Sequence, residues 1–155
     1  MIPDQRHGVR RVGALLSAGE IAMPLYRYDH VHLRSSDPEA AARFFETMFG
    51  AEVVRGTYAE GTFYPGQPRV YVKLGGQTVL IAPPHHDEPT GAQPRFPYFG
   101  LEHIALTVDD IDAAVADLRA KGADIAVGPM AYSAGTRLAF IRGPEGVIIE
   151  IVERK

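Results

Sequence analysis

Cysteine is absent from this chain, and so are long apolar runs and basic runs. Without cysteine there are no disulfides, thiolate metal sites or cysteine nucleophiles, so any metal ion must be held by histidine, carboxylate or amide groups. No apolar stretch approaches the roughly 20 residues that cross a bilayer, so we expect no membrane span. Sixteen Lys and Arg against nineteen Asp and Glu give a net charge of -3, which indicates no nucleic-acid partner. The lack of cysteine is compatible with a cytoplasmic protein.

The composition is that of a folded domain. Of the 155 residues, 46% are hydrophobic and 23% are charged, which is enough to build a core. Near the start of the chain, basic residues precede the short apolar patch VGALLSAG, a faint likeness to a signal peptide. We interpret residues 12 to 22 instead as a short helix packed on the domain or on a partner subunit. The expected organisation is an N-terminal extension, 1-26, and a single domain, 27-155.

The chain contains the same unit twice. The segment DHVHLRSSDPEAAARFFETMFGAEV, from residue 29, matches EHIALTVDDIDAAVADLRAKGADI, from residue 102. His30 and His103 occupy equivalent positions, 73 residues apart, and so do Asp37 and Asp110. The repeat predicts that one structural module is duplicated.

Each module is expected to begin as strand, helix, strand. Residues 30 to 35 and 103 to 108 alternate in character, as half-buried strands do. Asp37 and Asp110 are suited to cap the following helices, and Gly50 and Gly122 are suited to end them. Apolar residues between these signals follow helical spacing.

Two hairpins complete the modules, one turning at GG after RVYVKL and one at GPEG after TRLAFIR. The predicted fold class is α+β, with paired βαβββ modules that form an eight-stranded, cavity-lining mixed sheet with helices on its outer face. Module one spans 27-82 and module two spans 101-155. The proline-rich linker 83-100 is either a cover for the cavity mouth or a plain connector.

Three residues point to a metal site. His30 and His103 lie at equivalent positions of the two modules, so the pseudo-symmetry predicts that they converge. Glu150 interrupts the apolar run VIIEIV, where a carboxylate needs a partner or a cation. Two imidazoles and a carboxylate suit Zn, Ni, Mn, Co or Fe, and three protein ligands leave positions open for substrate. Each residue taken singly is also compatible with an ordinary structural role.

With these motifs the chain resembles the vicinal oxygen chelate superfamily, which includes glyoxalase I, methylmalonyl-CoA epimerase, extradiol dioxygenases, fosfomycin resistance transferases and bleomycin-binding proteins. The resemblance covers residues 27 to 153 and rests on DHVHLRSSDPEAAARFF, EHIALTVDDIDAAV and FIRGPEGVIIEIVE. It implies that His30, His103 and Glu150 are metal ligands. It also implies a homodimer.

The departures from individual subfamilies bear on function. Glyoxalase I and the epimerase carry a fourth ligand, Glu or Gln, where this chain has Leu80. His85 or His86 in the linker is an alternative source of that ligand, or a simple loop residue. The dioxygenases carry a Tyr where this chain has Phe140, and their second proton-handling His has no counterpart after His103.

Further polar residues are candidates for chemistry or substrate contact. His32 is expected to share the sheet face of His30, as a general base or as an ordinary wall residue. A stripe formed by Arg69, Tyr71 and Lys73 faces either an anionic substrate or water. Tyr132 and Arg137 flank the last hairpin as possible substrate contacts.

These observations predict an enzyme that uses a divalent metal ion as a Lewis acid on a small, vicinally oxygenated substrate. Lyase, isomerase or group-transfer chemistry would pass through an enediolate or alkoxide, with Glu150 also shuttling protons. One alternative is an Fe(II)-dependent dioxygenase of the same superfamily. Another is a metal-free binding or resistance protein that holds a small hydrophobic ligand.

Overall fold

A computed structural model describes residues 26–84, 87, 89–93 and 95–155. The helix expected over residues 12 to 22 lies outside this part of the chain. The described part contains eight strands, two helices and one 3-10 turn. In chain order they are β1 (Val31–Arg34), α1 (Pro38–Phe49), β2 (Glu52–Thr57), β3 (Pro68–Leu74), β4 (Gln77–Ala82), β5 (His103–Thr107), α2 (Ile111–Ala120), β6 (Asp124–Ser133), β7 (Thr136–Arg142), the 3-10 turn (Pro144–Gly146) and β8 (Ile148–Arg154).

The eight strands form two mixed sheets of four. Their orders are β1-β4-β3-β2 and β5-β8-β7-β6, so the two modules repeat one topology. In each sheet the first and last strands of the module pair in parallel, and the other pairs are antiparallel. This arrangement confirms the predicted α+β fold of paired βαβββ modules.

Both helices begin where the sequence predicts. The Asp37 side chain accepts a hydrogen bond from the Ala40 N–H at 2.9 Å, and Asp110 accepts one from the Ala113 N–H at 3.0 Å. Each cap satisfies a backbone donor that has no partner within its helix. Helix α1 then ends at Gly50, whose φ of 64° is left-handed.

One apolar core lies between the helices and the sheets. Alternate strand residues face this core, including Val70 and Val72 of β3 and Ile149 and Ile151 of β8. The residues between them point to the opposite side, because successive side chains alternate across a strand. We call this uncovered side the open face. It carries His32, Tyr71 and Glu150, which the sequence predicts to be functional.

The strand β6 is longer than the short segment predicted near residues 124 to 127. It runs to Ser133, and its pairing with β7 is interrupted at three register shifts. Exposed Val127, Met130 and Tyr132 lie along it. Neither helix in the described part of the chain has the length or the apolar character needed to cross a membrane.

Candidate metal and substrate site

The open face of module two brings His103 and Glu150 together. His103 opens β5, and Glu150 lies in the middle of β8, which pairs in parallel with β5. His103 Nε2 lies 3.5 Å from Glu150 Oε2, with about 13% of the Glu150 side chain exposed. The predicted meeting of these two residues is therefore present in the structure.

The second ring nitrogen of His103 has its own carboxylate partner. Nδ1 lies 3.2 Å from an oxygen of Glu102, and an ionised carboxylate only accepts hydrogen bonds. This contact therefore favours a proton on Nδ1. In the neutral ring Nε2 then presents a lone pair to the Glu150 carboxylate, which is unfavourable unless a cation lies between them or the ring becomes an imidazolium.

The donor separation suits a shared metal ion. Two bonds of about 2.1 Å at a tetrahedral angle place their donor atoms about 3.4 Å apart. The Nε2 to Oε2 separation of 3.5 Å fits this value. Imidazole with carboxylate is also a donor set for Zn, Mn, Ni, Co and Fe. The chemistry and spacing of this pair therefore fit a divalent ion.

His30 is placed apart from this pair. It lies immediately before β1, where its Nδ1 contacts Asp29 Oδ1 and its ring meets that of His32 edge-on at 6.2 Å. In the ranges that the structure describes, no three His, Asp or Glu residues form a cluster that could hold a metal ion. The structure thus assembles two of the three predicted ligands.

A hollow between the modules is lined by His32 from module one and His103 from module two. Residues 31–33 of β1, Glu102 and residues 103–104 of β5 line it, and its volume is about 160 Å³. The edges of β1 and β5 therefore lie close together without pairing. A wider cleft of about 690 Å³ lies elsewhere, between the end of α1, α2 and β5, and none of its lining residues is a candidate ligand.

His32 shares the open face with Tyr71. Both align with Leu80 across β1, β4 and β3. Burial, followed by the charges of Arg34 and His30, lowers the pKa of His32. The face predicted for His32 is the one it occupies. Leu80 is the counterpart of Glu150 in module one and supplies no donor.

Two arginines on the same face were only partly anticipated. Arg69 belongs to the predicted stripe, and its guanidinium lies 5.4 Å from the Tyr71 ring. Arg34 was not singled out, yet it lies 4.9 Å from the Tyr64 ring and donates to the Pro83 carbonyl at 3.0 Å. Strand alternation places residues 30, 32 and 34 on one face, and this pattern could have identified Arg34. Within the described residues, the buried Arg69 Nε has no hydrogen-bond partner.

The remaining stripe residue, Lys73, lines a hollow together with Asp29, the residue before His30. Asp29, Tyr71 and Lys73 line one hollow of about 380 Å³, together with Val54 and Thr78. Lys73 Nζ also contacts Glu52 at 3.2 Å. Tyr71 and Lys73 are therefore placed where a polar or anionic substrate group could meet them.

Arg137 takes a different position from the one expected of a substrate contact. It points to the helix-covered side of β7, because Phe140 and Glu150 align on the open face and Arg137 is three positions from Phe140. Its guanidinium donates to both carboxylate oxygens of Asp112 in α2, at 2.7 and 2.9 Å. We therefore assign Arg137 to holding α2 on the sheet. Tyr132 is 73% exposed on β6.

The linker covers part of the site. Phe96 packs on Phe140, which in turn packs on His103, each at 5.7 Å between ring centroids. The Tyr98 hydroxyl lies 3.0 Å from the Leu101 carbonyl and 3.1 Å from the Glu102 carbonyl. The end of the linker is thereby fixed directly before His103.

The family model of the Glyoxalase/Bleomycin resistance protein/Dioxygenase superfamily matches residues 27–151. The chain belongs to this superfamily. It is 30% identical over 135 residues to the protein YwkD of Bacillus subtilis (strain 168), covering 85% of this chain and all of that relative. It is 36% identical over 101 residues to the mitochondrial methylmalonyl-CoA epimerase of Homo sapiens, covering 63% of this chain and 54% of that protein.

A lactoylglutathione lyase and a solved structure of a glyoxalase family protein are also similar to this chain. The lactoylglutathione lyase of Neisseria meningitidis serogroup B (strain MC58) is 28% identical over 130 residues, which cover 81% of this chain and 89% of that enzyme. The crystal structure of a glyoxalase family protein from Enterococcus faecalis superposes with a TM-score of 0.64 at 25% identity, covering 82% of this chain and 97% of that one. The named relatives include lyases and epimerases, which supports an enzyme of this superfamily.

Proposed function

We propose that this protein is a divalent-metal-dependent lyase or isomerase that acts on a small substrate with adjacent oxygen atoms. The observation that carries the proposal is the contact of His103 Nε2 with Glu150 Oε2 at 3.5 Å, with His103 Nδ1 already engaged by Glu102. This arrangement leaves a lone pair and a carboxylate directed at one point, as a cation requires.

The proposed ligands are His30, His103 and Glu150. His103 and Glu150 would hold the ion from module two, and His30, which lies outside that pair in the structure, would complete the set by approaching from the neighbouring edge of module one. When bound, a Zn, Ni, Mn, Co or Fe ion supplies Lewis-acid polarisation of substrate oxygens. Glu150 would also accept and return a proton at the substrate carbon, through the carboxylate oxygen that does not face His103.

The remaining candidates bind or position the substrate. His32 and Tyr71 form one row on the open face, and we propose His32 as a second proton-handling group. Tyr71, Lys73 and Tyr132 are proposed to contact substrate. Arg137 is left out of this set because its guanidinium is already bound to Asp112.

The proposal keeps both lyase and isomerase activity. Relatives named as an epimerase and as lactoylglutathione lyases support both reaction types. Because the resemblance places a fourth ligand at the position of Leu80, an aliphatic residue there predicts one more open position on the ion than in those enzymes. A homodimer, a cytoplasmic location and the domain limits 27-155 stay predictions.

The first experiment measures metal content by elemental mass spectrometry on untagged protein prepared without chelator. We compare wild type with His103→Ala and Glu150→Gln, using Glu60→Gln in an exposed turn as the matched control. Near-stoichiometric metal in wild type and Glu60→Gln, lost from the other two variants, supports the proposal. Wild-type protein that stays empty after addition of each of the five metals overturns it in favour of a binding protein.

The second experiment tests the chemistry. The metal-loaded protein is incubated in D2O with methylmalonyl-CoA and, separately, with the hemithioacetal of glutathione and methylglyoxal. Deuterium incorporation or conversion that Glu150→Gln abolishes supports a proton-transfer enzyme. Oxygen uptake with bound iron, without deuterium incorporation, overturns the proposal in favour of a dioxygenase.

A further inference from the structure

Each candidate histidine ligand is preceded by an acidic residue that contacts its ring. Asp29 Oδ1 contacts His30 Nδ1, and Glu102 Oε2 contacts His103 Nδ1 at 3.2 Å. The contact therefore occurs in both modules, at positions related by the internal repeat. Adjacent residues in a regular strand point to opposite faces, so these contacts require each acidic side chain to turn toward its neighbour. That neighbour is the residue directly before β1 in module one and the first residue of β5 in module two.

We propose that Glu102 and Asp29 are positioning residues, which hold the Nδ1–H of His103 and His30 so that Nε2 is left free for the metal ion. This inference rests on the proposed function for its purpose, since the metal is what Nε2 would bind. The physical reason is that a carboxylate accepts and cannot donate, so its contact with Nδ1 selects the tautomer with the proton there. Such a partner also fixes the ring orientation and raises the basicity of the free nitrogen.

Glu102 is held more firmly beside its histidine than Asp29 is. About 31% of its side chain is exposed, against 89% for Asp29. The backbone at Glu102 is also fixed, because the Tyr98 hydroxyl donates to the carbonyls of residues 101 and 102. We therefore expect removal of Glu102 to have the larger effect.

The Phe140 ring is a third contact of the His103 imidazole. It meets the imidazole edge-on at 5.7 Å, while Glu102 holds one nitrogen and the other faces Glu150. The imidazole thus has a defined neighbour on each side. His30 has the matching arrangement of Asp29 on Nδ1 and the His32 ring at 6.2 Å.

The test reads the tautomer directly in metal-free protein by long-range proton–nitrogen NMR of the histidine rings. The variants are Glu102→Leu and Asp29→Leu, which remove the acceptor, and Glu102→Gln, which keeps a neutral one. Asp109→Asn, an exposed carboxylate in the loop before α2, is the control. We expect protonated Nδ1 on His30 and His103 in wild type and in the control, and a tautomer mixture for His103 in Glu102→Leu. An Nδ1 without a proton on His30 or His103 in wild type overturns the proposal.

A second readout is the affinity for Co(II), followed by its visible absorption and by competition with a chelator. Loss of such a partner lowers metal affinity by about 10–100-fold. We expect that loss for Glu102→Leu, a smaller one for Asp29→Leu, and recovery in Glu102→Gln. Equal Co(II) affinity in wild type and both Leu variants overturns the proposal. If wild type binds no metal while the tautomer change occurs, the proposed function fails and the positioning role stands.

Discussion

Glu145 shows how a single side chain joins the two modules. It lies in the 3-10 turn before β8, and one carboxylate oxygen accepts from the Ser36 N–H at 2.8 Å and from the hydroxyls of Ser35 and Ser36 at 2.9 Å. Its φ of 52° is left-handed, a conformation that non-glycine residues rarely adopt. The three hydrogen bonds to module one offset this strain.

These hydrogen bonds lower the pKa of Glu145, the Ser36 backbone N–H being the largest cause. A lowered pKa in the folded state means that the unfolded chain binds more protons, so the carboxylate stabilises the fold above its usual pKa of 4.5. We expect Glu145→Gln to lower the free energy of unfolding by about 0.5–1 kcal/mol at pH 7, because the side chain is exposed and solvent screens its charge. Urea titration at a series of pH values checks this.

The pH profile separates this charge effect from a loss of packing. The difference between wild type and Glu145→Gln should shrink as the pH falls from 4.5 through the lowered pKa of folded Glu145, because the unfolded chain takes up its proton first and the folded carboxyl follows at lower pH. Glu60→Gln in an exposed turn should behave as wild type throughout. A difference that is the same at pH 3 and pH 7 would contradict the assignment.

At the scale of elements, β6 depends on one glycine. Gly128 has a φ of 90°, and a Cβ placed there would lie 2.6 Å from the Leu138 carbonyl oxygen and 2.9 Å from the Ala139 Cα, both backbone atoms of β7. The ladder between β6 and β7 is interrupted at this point, between Val127 and Met130. Close approach of two backbones is what allows β6 to continue beyond the irregularity.

Gly122, after α2, is a matched control because its φ of 86° is similar and a Cβ placed there would meet nothing within 4 Å. We expect Gly122→Ala to lower the free energy of unfolding by about 1–3 kcal/mol through backbone strain alone. Gly128→Ala should lose a further 1–3 kcal/mol, roughly, through overpacking against β7. Urea unfolding of both variants measures the difference. An equal loss of unfolding free energy in the two variants would show that the close approach of β7 to Gly128 does not affect stability.

At the scale of the whole molecule, one core serves both modules. The buried cluster contains Val70 and Ile81 of module one together with Ile149 and Ile151 of module two. Phe44 of α1 also lies 3.4 Å from the position of a Cβ at Gly143, at the last hairpin. We therefore expect the two modules to unfold as one cooperative unit.

Two matched substitutions test this cooperativity. Ile81→Val and Ile149→Val each remove one methylene from a fully buried side chain, and each should lower the free energy of unfolding by about 0.5–1.5 kcal/mol. Native-state hydrogen exchange then compares the slowest amides of β3 and β8. We expect either variant to reduce protection equally in both strands. A loss confined to the substituted module would mean that the modules open independently.

The sequence by itself determined the local structure and the duplication. Asp37, Asp110 and Gly50 specify where helices begin and end through contacts within a few residues, and strand alternation gives the face of His32 and Glu150. The placement of His103 beside Glu150 was also predictable in outline, since both lie on one face of paired strands.

Only the tertiary structure decided the distances between donors on different strands. It set the His103 and Glu150 atoms 3.5 Å apart, kept His30 out of that cluster, and directed Arg137 to Asp112 on the helix-covered side. These outcomes depend on sheet register and on the gap between the unpaired edges of β1 and β5, which many distant contacts fix together. The local sequence pattern determines which face of the sheet a side chain occupies. Packing between residues that are distant in sequence determines how far that side chain lies from donors on other strands.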